Sequence, residues 1–483
     1  MSALAELQPR LVWARFEELT GIARPPKHEG AVREHVVAWA EVRGLATAVD
    51  EAGNVVVRVP ATGGREEAPT VVLQAHLDMV CERDPDSPYD PHEGRIRVVR
   101  EGDWIHADGT TLGADNGIGV AGALAAAEDP ALCHGPLELL LTVSEEQGLD
   151  GAKGLDPELV TGRLLVNLDG TSDGSLTVGC AGSAHTFTRL PLSAEKLPPG
   201  WAALSVVLSG AKGGHSGEDI ARGRANGIVA LSRVLSMLGA RVPLRLAELH
   251  GGVSRNAIPR EARAVVAVPA TDEDAFRLAA EEALAALLQQ HAGTDDGLEL
   301  SLEVAIPLPA ADEETTTRVL DLFSATPSGV VAMSALVPGS VETSTSLNVA
   351  GTEDDVLTLA SMSRSASPIA LDALVARFEA LARLAGAEIE VARSYPPWRP
   401  DLGSSLLATA RATFARLFDA EPRLEVVHGG LECAVLGERL PGVQMISIGP
   451  EIVGQHAPGE RLRISGTERY YRLLGALLDD LST

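Results

Sequence analysis

At 483 residues the chain exceeds what one hydrophobic core normally organises, and two or more domains are expected. Its 45% hydrophobic and 22% charged content is that of a globular protein, and apolar runs such as LELLLTV at 137–143 fall far short of a membrane span. Forty basic residues against 67 acidic ones leave a net charge of −27, which supplies no basic surface for a phosphate backbone and argues against a nucleic-acid partner.

The first stretch, MSALAELQPRLVWARFEELTGIAR, has the apolar spacing of an amphipathic helix. It lacks the apolar centre and small-residue cleavage site of a secretory signal, so a cytoplasmic location with no membrane partner is expected. VREHVVAWAEVRG continues with helical spacing, NVVVRVPA and TVVLQAHLD read as strands, GADNGIGVAGALAAAED as a helix, and LELLLTVSEE and RLLVNLDG as strands. This alternation predicts an α/β layer structure on a mixed sheet, in which ligands sit beyond the carboxyl ends of the strands.

From about residue 184 the character changes. The strand WAALSVVLSG leads through the Gly-rich AKGGHSGEDIARGRANG to the helix IVALSRVLSML, and later VLTLASMSRS, ALDALVARFEALARLAG and EIEVAR repeat a strand–helix–strand run. After the proline-rich YPPWRPDLG, the helix SLLATARATFARLFD, the strand VQMISIGP and the helix TERYYRLLGALLDDL return to the first pattern. The simplest architecture is one α/β domain formed by residues 1–183 and 393–483, with an α+β domain inserted over 184–392. Cys81, Cys133, Cys180 and Cys433 form no CxxC pair, which points to reduced, mostly buried thiols.

Five stretches put carboxylates or imidazoles just after an apolar run or at a helix start. They are AHLD (His76, Asp78), GADNG (Asp115), TVSEEQG (Glu145, Glu146), VNLDG (Asp169) and VGQHAPGE (His456). Each alone has an ordinary explanation: Asp115 as a helix N-cap, the glutamates as a solvated loop, Asp169 as a turn residue, His456 as a loop histidine. Together they are the thiolate-free donor set of a hydrolytic zinc, manganese or cobalt site. The inventory suits two ions, with His76 and Asp169 on one, Glu146 and His456 on the other, and Asp115 between them. Residues two apart on a strand share a face, so Asp78 is placed to hydrogen-bond the ring nitrogen of His76 that a metal would leave unused. Of the adjacent glutamates, one can bind metal while the other stays free as a general base.

These residues, in this order and spacing, resemble the dinuclear zinc peptidases that include glutamate carboxypeptidase, aminoacylase and the cytosolic dipeptidases. The stretches QAHLDMVCE, DGTTLGADNGIG, LDGTSDG, GGHSGEDI, SRNAIPR and HGGLECAVLG are most similar to the bacterial aminoacyl-histidine dipeptidases, the Xaa-His or β-alanyl-histidine branch, over nearly the whole chain. The resemblance implies a mixed-sheet zinc-peptidase catalytic domain with an inserted lid, acting on short peptides through two divalent ions, zinc before manganese or cobalt. It makes Glu145 the base and Glu146 the ligand, and it implies a cis bond at Asp115–Asn116. It also places His215 of GGHSG against the scissile carbonyl oxygen, Asn256 and Arg364 on the substrate's terminal carboxylate, and His428 and Glu432 beside the substrate. GGHSG is no phosphate-binding loop, since no GK[ST] follows.

The insert is longer than the short lids through which some family members lend the oxyanion histidine to a partner subunit. A homodimer is one arrangement this allows, and the subunit that His215 serves is left open. Two alternatives use the same residues. An N-acyl amino acid deacylase would apply the same centre to a different amide, and a metal-binding protein without catalysis would need neither Glu145 nor His215.

Overall fold

The computed structural model describes residues 3–483. By internal contacts the chain divides into two compact units: one runs to Cys180 and includes Trp398–Val426 and Leu431–Thr483, and the other comprises Ala181–Pro397 and Val427–Gly430. The expected boundaries at 183/184 and 392/393 lie a few residues from this division, and the short return Val427–Gly430 has no counterpart in the sequence pattern.

The first unit is built on an eight-stranded sheet. Its order is Ala46–Val49, Val55–Val59, Leu137–Thr142, Val71–His76, Leu164–Asn167, Gln444–Ser447 and Ser175–Cys180, with an outer strand opening at Arg423. The four central strands from Leu137–Thr142 to Gln444–Ser447 run parallel, and Val55–Val59 pairs antiparallel. VVLQAH and LELLLT are buried at every residue, as expected for strands covered on both faces. The helix Ala114–Glu128 packs on the helix Arg10–Thr20 and on Val71–His76. Buried polar groups within the strands are paired with one another: Asn167 Nδ2 donates to Gln74 Oε1 at 2.6 Å, and Gln74 Nε2 donates to Thr142 Oγ1 at 3.2 Å.

Register decides where the chemistry falls. His76 pairs with Thr142 and Gln74 with Asn167, so three strands end side by side and the loops leaving them share one edge. A separate four-stranded sheet, in the order Ile452–Val453, Arg461–Arg463, Trp104–Ala107 and Val98–Glu101, ties the loop carrying His456 to the segment just before Asp115.

The second unit carries a nine-stranded sheet. Its path runs Glu299–Val304, Trp201–Ser209, Ala262–Pro269, Arg245–Gly251, Val341–Glu353, Val356–Ser365, Gly182–Pro191 and Glu388–Tyr395, with Gly329–Met333 also paired to Val341–Glu353. Both strand–helix–strand runs read from the sequence contribute to this one sheet. Its core packs Leu204, Val206, Leu246 and Leu347 against Leu231 and Leu235 of the helix Gly227–Gly239 and Phe276 of the helix Glu273–Gln290.

The four cysteines are unpaired, but only Cys180 and Cys433 are buried. Cys133 is exposed and Cys81 half-buried, which corrects the expectation of mostly buried thiols. Among the described residues no helix is long and apolar enough to cross a membrane.

Candidate metal centre and substrate-recognition groups

His76 closes its strand, Asp169 follows Leu164–Asn167, and Ser144, at a left-handed φ of 50°, turns the chain after Leu137–Thr142 so that Glu145 and Glu146 come next. Asp115 lies in the first turn of Ala114–Glu128 with non-helical φ −80° and ψ 108°, and its bond to Asn116 is cis. The helix is capped from Gly113 without a side-chain hydrogen bond, so Asp115 is not an N-cap.

The carboxylate of Asp115 turns one oxygen to each of two imidazoles. His76 Nε2 is 3.0 Å from Asp115 Oδ1, and His456 Nε2 is 3.4 Å from Asp115 Oδ2. His76 Nε2 also lies 3.6 Å from Asp169 Oδ1, and His456 Nε2 lies 3.1 Å from Glu146 Oε2. Donor atoms of His76, Asp115 and Glu146 fall within 4.8 Å of one another. The set fits divalent ions: its donors are carboxylate oxygen and imidazole nitrogen, and the buried Glu146 Oε1 has no hydrogen-bond partner.

The electrostatics describe a group of carboxylates that draws positive charge. Burial would lower His76, but the charge of Asp169 and hydrogen bonds to Asp115, Asp169 and Asp78 raise it well above its ordinary value. Hydrogen bonds to Asp115 and Glu146 raise His456 to about 11. Burial pushes Asp115 up, yet the hydrogen bonds to His456 and His76 hold it well below the usual carboxylate range. Asp169 has the opposite balance, raised to about 6 by burial and by the charge of Asp115.

Asp78 faces the ring nitrogen of His76 that the spacing assigns to it, and it has further partners. His76 Nδ1 lies 3.4 Å from Asp78 Oδ1, and the Asp78 carboxylate also accepts the backbone N–H of Glu145 at 3.0 Å and of Glu146 at 3.1 Å. Those amides belong to the segment leaving the neighbouring strand Leu137–Thr142, a relation invisible to residue spacing. The Glu145 carboxylate itself makes no hydrogen bond or ion pair among the described residues. Burial, reinforced by Asp169, Glu146 and Glu432 against the pull of His76, raises it well above the usual carboxylate range.

Glu432 lies deeper than its expected place beside the substrate. It is fully buried in the first unit, where its Oε2 accepts from Gln74 Nε2 at 2.5 Å and from Thr142 Oγ1 at 2.6 Å, and burial raises it to about 7. That placement makes it a support beneath the strand ends, with no exposed surface to offer a substrate.

Three residues near Asp115 have partners that the sequence pattern does not announce. Asn116 donates from Nδ2 to Leu168 O at 3.1 Å and to Asp169 Oδ1. Arg24 and Glu460 are ionisable yet only 1% and 2% exposed. The available signals were the neighbourhood of Asn116 in GADNG and of Glu460 in HAPGE; nothing in GIARPP marks Arg24.

In the second unit, three of the expected substrate groups converge on Gly217. A Cβ there would meet His428 O at 2.5 Å, Arg364 Nε at 3.1 Å and His215 Cε1 at 3.2 Å. His215 lies in a two-residue strand whose partner residue is Ala257, next to Asn256. The ring nitrogen Nδ1 of His215 accepts the N–H of Glu218 at 3.1 Å. Arg364 is buried, donating from Nη1 to Tyr395 Oη at 2.9 Å while its Nε has no partner. His428 Nε2 lies 2.7 Å from Ser344 Oγ, and burial with the charge of Arg364 lowers its imidazole to about 4. Asn256 is exposed and accepts from Ser254 Oγ at 2.6 Å.

Residues 72–480 match the sequence profile of peptidase family M20/M25/M40. The chain belongs to this family. As a member of M20/M25/M40 it is a hydrolase, a metallopeptidase of mixed α/β fold. It is 38% identical over 482 residues to the cytosol non-specific dipeptidase of Escherichia coli K12, covering 100% of this chain and 99% of the relative. The crystal structure of aminoacylhistidine dipeptidase from Vibrio alginolyticus superimposes with a TM-score of 0.91 at 36% identity, over 99% of this chain and 98% of that one. The aminopeptidase PepT of Bacillus cereus shares the fold at a TM-score of 0.56 and 16% identity, over 99% of this chain and 100% of that one.

Proposed function

We propose that this M20 family member is a metal-dependent dipeptidase whose substrates include Xaa-His dipeptides of the β-alanyl-histidine type. The observation that carries this reading is the Asp115 carboxylate, one oxygen to each imidazole, beside an unpartnered Glu145. Its support in substrate class comes from full-length relatives named for dipeptidase activity, one as non-specific and one as aminoacylhistidine-directed. The name of the E. coli relative also supports a cytosolic location.

We assign two divalent ions, zinc with manganese or cobalt as alternatives, to His76, Asp115, Glu146, Asp169 and His456. When bound, such ions supply Lewis acidity, lowering the pKa of a water and polarising a carbonyl oxygen. Glu145 takes the proton of the attacking water and returns it to the leaving amine nitrogen. Asp78 holds the backbone that aims Glu145 and Glu146. Because Nδ1 of His215 accepts a hydrogen bond, the neutral ring carries its proton on Nε2 and can donate to the carbonyl oxygen as charge develops there. Arg364, with Nε unpaired and His428 nearby, offers a buried guanidinium to the C-terminal carboxylate of the substrate, and we assign Asn256 to the same carboxylate.

The test is a hydrolysis panel: β-alanyl-histidine, other Xaa-His and non-histidine dipeptides, and an N-acetyl amino acid, run on metal-stripped protein with and without added Zn²⁺, Mn²⁺ or Co²⁺. Metal-dependent cleavage of free dipeptides is the expected result, and the ranking measures histidine preference. Cleavage of the acetylated substrate alone would reassign the protein as a deacylase.

A further inference from the structure

Two buried charges grip the turn that delivers Asp115. Arg24 donates from Nη1 to Leu77 O at 3.0 Å and Asp78 O at 2.8 Å, and from Nη2 to Gly113 O at 2.5 Å. Glu460 accepts on Oε2 from the amides of Leu112 at 2.8 Å and Gly113 at 2.9 Å, and on Oε1 from the amide of Asp115 at 3.2 Å. The peptide groups flanking Asp115 are thus held by a cation on their carbonyl side and an anion on their amide side.

Sequence makes room for this. Gly113 has φ of +70°, and a Cβ at Gly113 or at Gly117 would lie 2.6 Å from Arg24 Nη2. The glycines of LGADNG therefore clear the space that the guanidinium fills. Both grips also reach other ligand segments. Arg24 ties the turn to the chain just after His76, its own carbonyl accepting the N–H of Met79 at 3.0 Å, while Glu460 leaves the loop that bears His456. Burying a guanidinium and a carboxylate disfavours folding unless each is well paired, and packing alone would be served better by apolar side chains.

We propose that Arg24 and Glu460 are positioning residues for metal binding: they build the Leu112–Asp115 turn in the metal-free protein and so set the carboxylate of Asp115 in register with the segments of His76 and His456. The inference rests on the reading of Asp115 as a metal ligand. Both act through main-chain hydrogen bonds.

Four measurements test it. In metal-stripped wild-type protein, hydrogen exchange read by mass spectrometry should show the amides of Leu112, Gly113 and Asp115 protected; fast exchange there overturns the proposal without any variant. Glu460→Gln keeps the size but turns an N–H donor toward amide donors, and its affinity for Zn²⁺ or Co²⁺, measured by chelator competition, should fall about 10–100-fold. Arg24→Lys, which keeps the charge but cannot reach three carbonyls, should weaken metal in the same assay. Unchanged affinity in Glu460→Gln overturns the inference, whatever happens to its thermal stability. Asp115→Asn separates the two claims: if it binds metal as wild type does, the ligand assignment fails, and if it loses metal while Glu460→Gln does not, only the positioning role fails.

Discussion

The Asp78 carboxylate accepts the backbone N–H of Glu145 at 3.0 Å, so the residue assigned as general base is held by its main chain, leaving its side chain unencumbered. The other Asp78 oxygen holds Glu146 in the same way, which couples base and ligand through one side chain. Asp78→Ala is therefore expected to lower kcat about 10–100-fold with a smaller change in KM. Steady-state kinetics on a metal-saturated variant checks this; a variant with wild-type kcat would reduce Asp78 to a fold-supporting residue.

Glu145→Gln removes the proton acceptor and keeps the shape. Its kcat should fall about 10²–10⁴-fold, while elemental analysis finds the wild-type metal content. Loss of metal in this variant, with metal retained in Glu146→Gln, would exchange the roles of the two glutamates.

Arg364→Lys replaces a planar fork by a point charge at a buried site where Nε is unpaired and Nη1 is committed to Tyr395. A charge-assisted hydrogen bond contributes about 1.5–3 kcal/mol, so KM for free dipeptides should rise about 10–100-fold with kcat less affected. Dipeptide amides, which lack the terminal carboxylate, should show little difference between variant and wild type.

His428 makes a pH prediction about stability. Burial and the charge of Arg364 lower its imidazole from 6.5 to about 4 in the folded protein. Between those values the unfolded chain binds the extra proton and the folded chain does not, so the contribution is present above about 6.5 and is lost as pH falls toward about 4. The full loss corresponds to about 3 kcal/mol. His428→Gln should flatten this part of the acid profile, seen as urea midpoints that converge on, or pass, those of wild type as pH drops. Parallel profiles for the two proteins would contradict the burial of a neutral ring.

The residues proposed as metal donors stand out in the sequence because a parallel sheet writes its functional edge there. Apolar runs such as VVLQAH and LELLLT stop at polar residues, and parallel pairing then brings those stops together. Other elements left no such trace. Trp104–Ala107 and Arg461–Arg463, which bring His456 to Asp115, are short and mix polar with apolar residues, so neither stands out from a loop. Val341–Glu353 reads VETSTSLNVAGTE, as polar as a linker; its hydroxyls pair across the sheet, Thr343 with Ser365 at 2.9 Å and Ser363 with Thr345 at 3.0 Å. The apolar spacing of the first stretch predicts a helix from its start, but Pro9 occupies the position before Arg10 and the helix runs only Arg10–Thr20. The buried place of Glu432 and the main-chain grip of Asp78 depend on long-range packing, which periodicity does not encode.

The pairing of Arg461 with His106 and of Arg463 with Trp104 has a bearing on biosynthesis. The catalytic unit closes on itself only after the whole intervening second unit has been translated, and ordering so distant a contact is slow. A nascent chain can assemble the strand ends of His76, Glu146 and Asp169 early, but the imidazole of His456 reaches them last. The donor set proposed for the ions is therefore complete only once residue 456 has been made and its loop has been tied down by Arg461–Arg463.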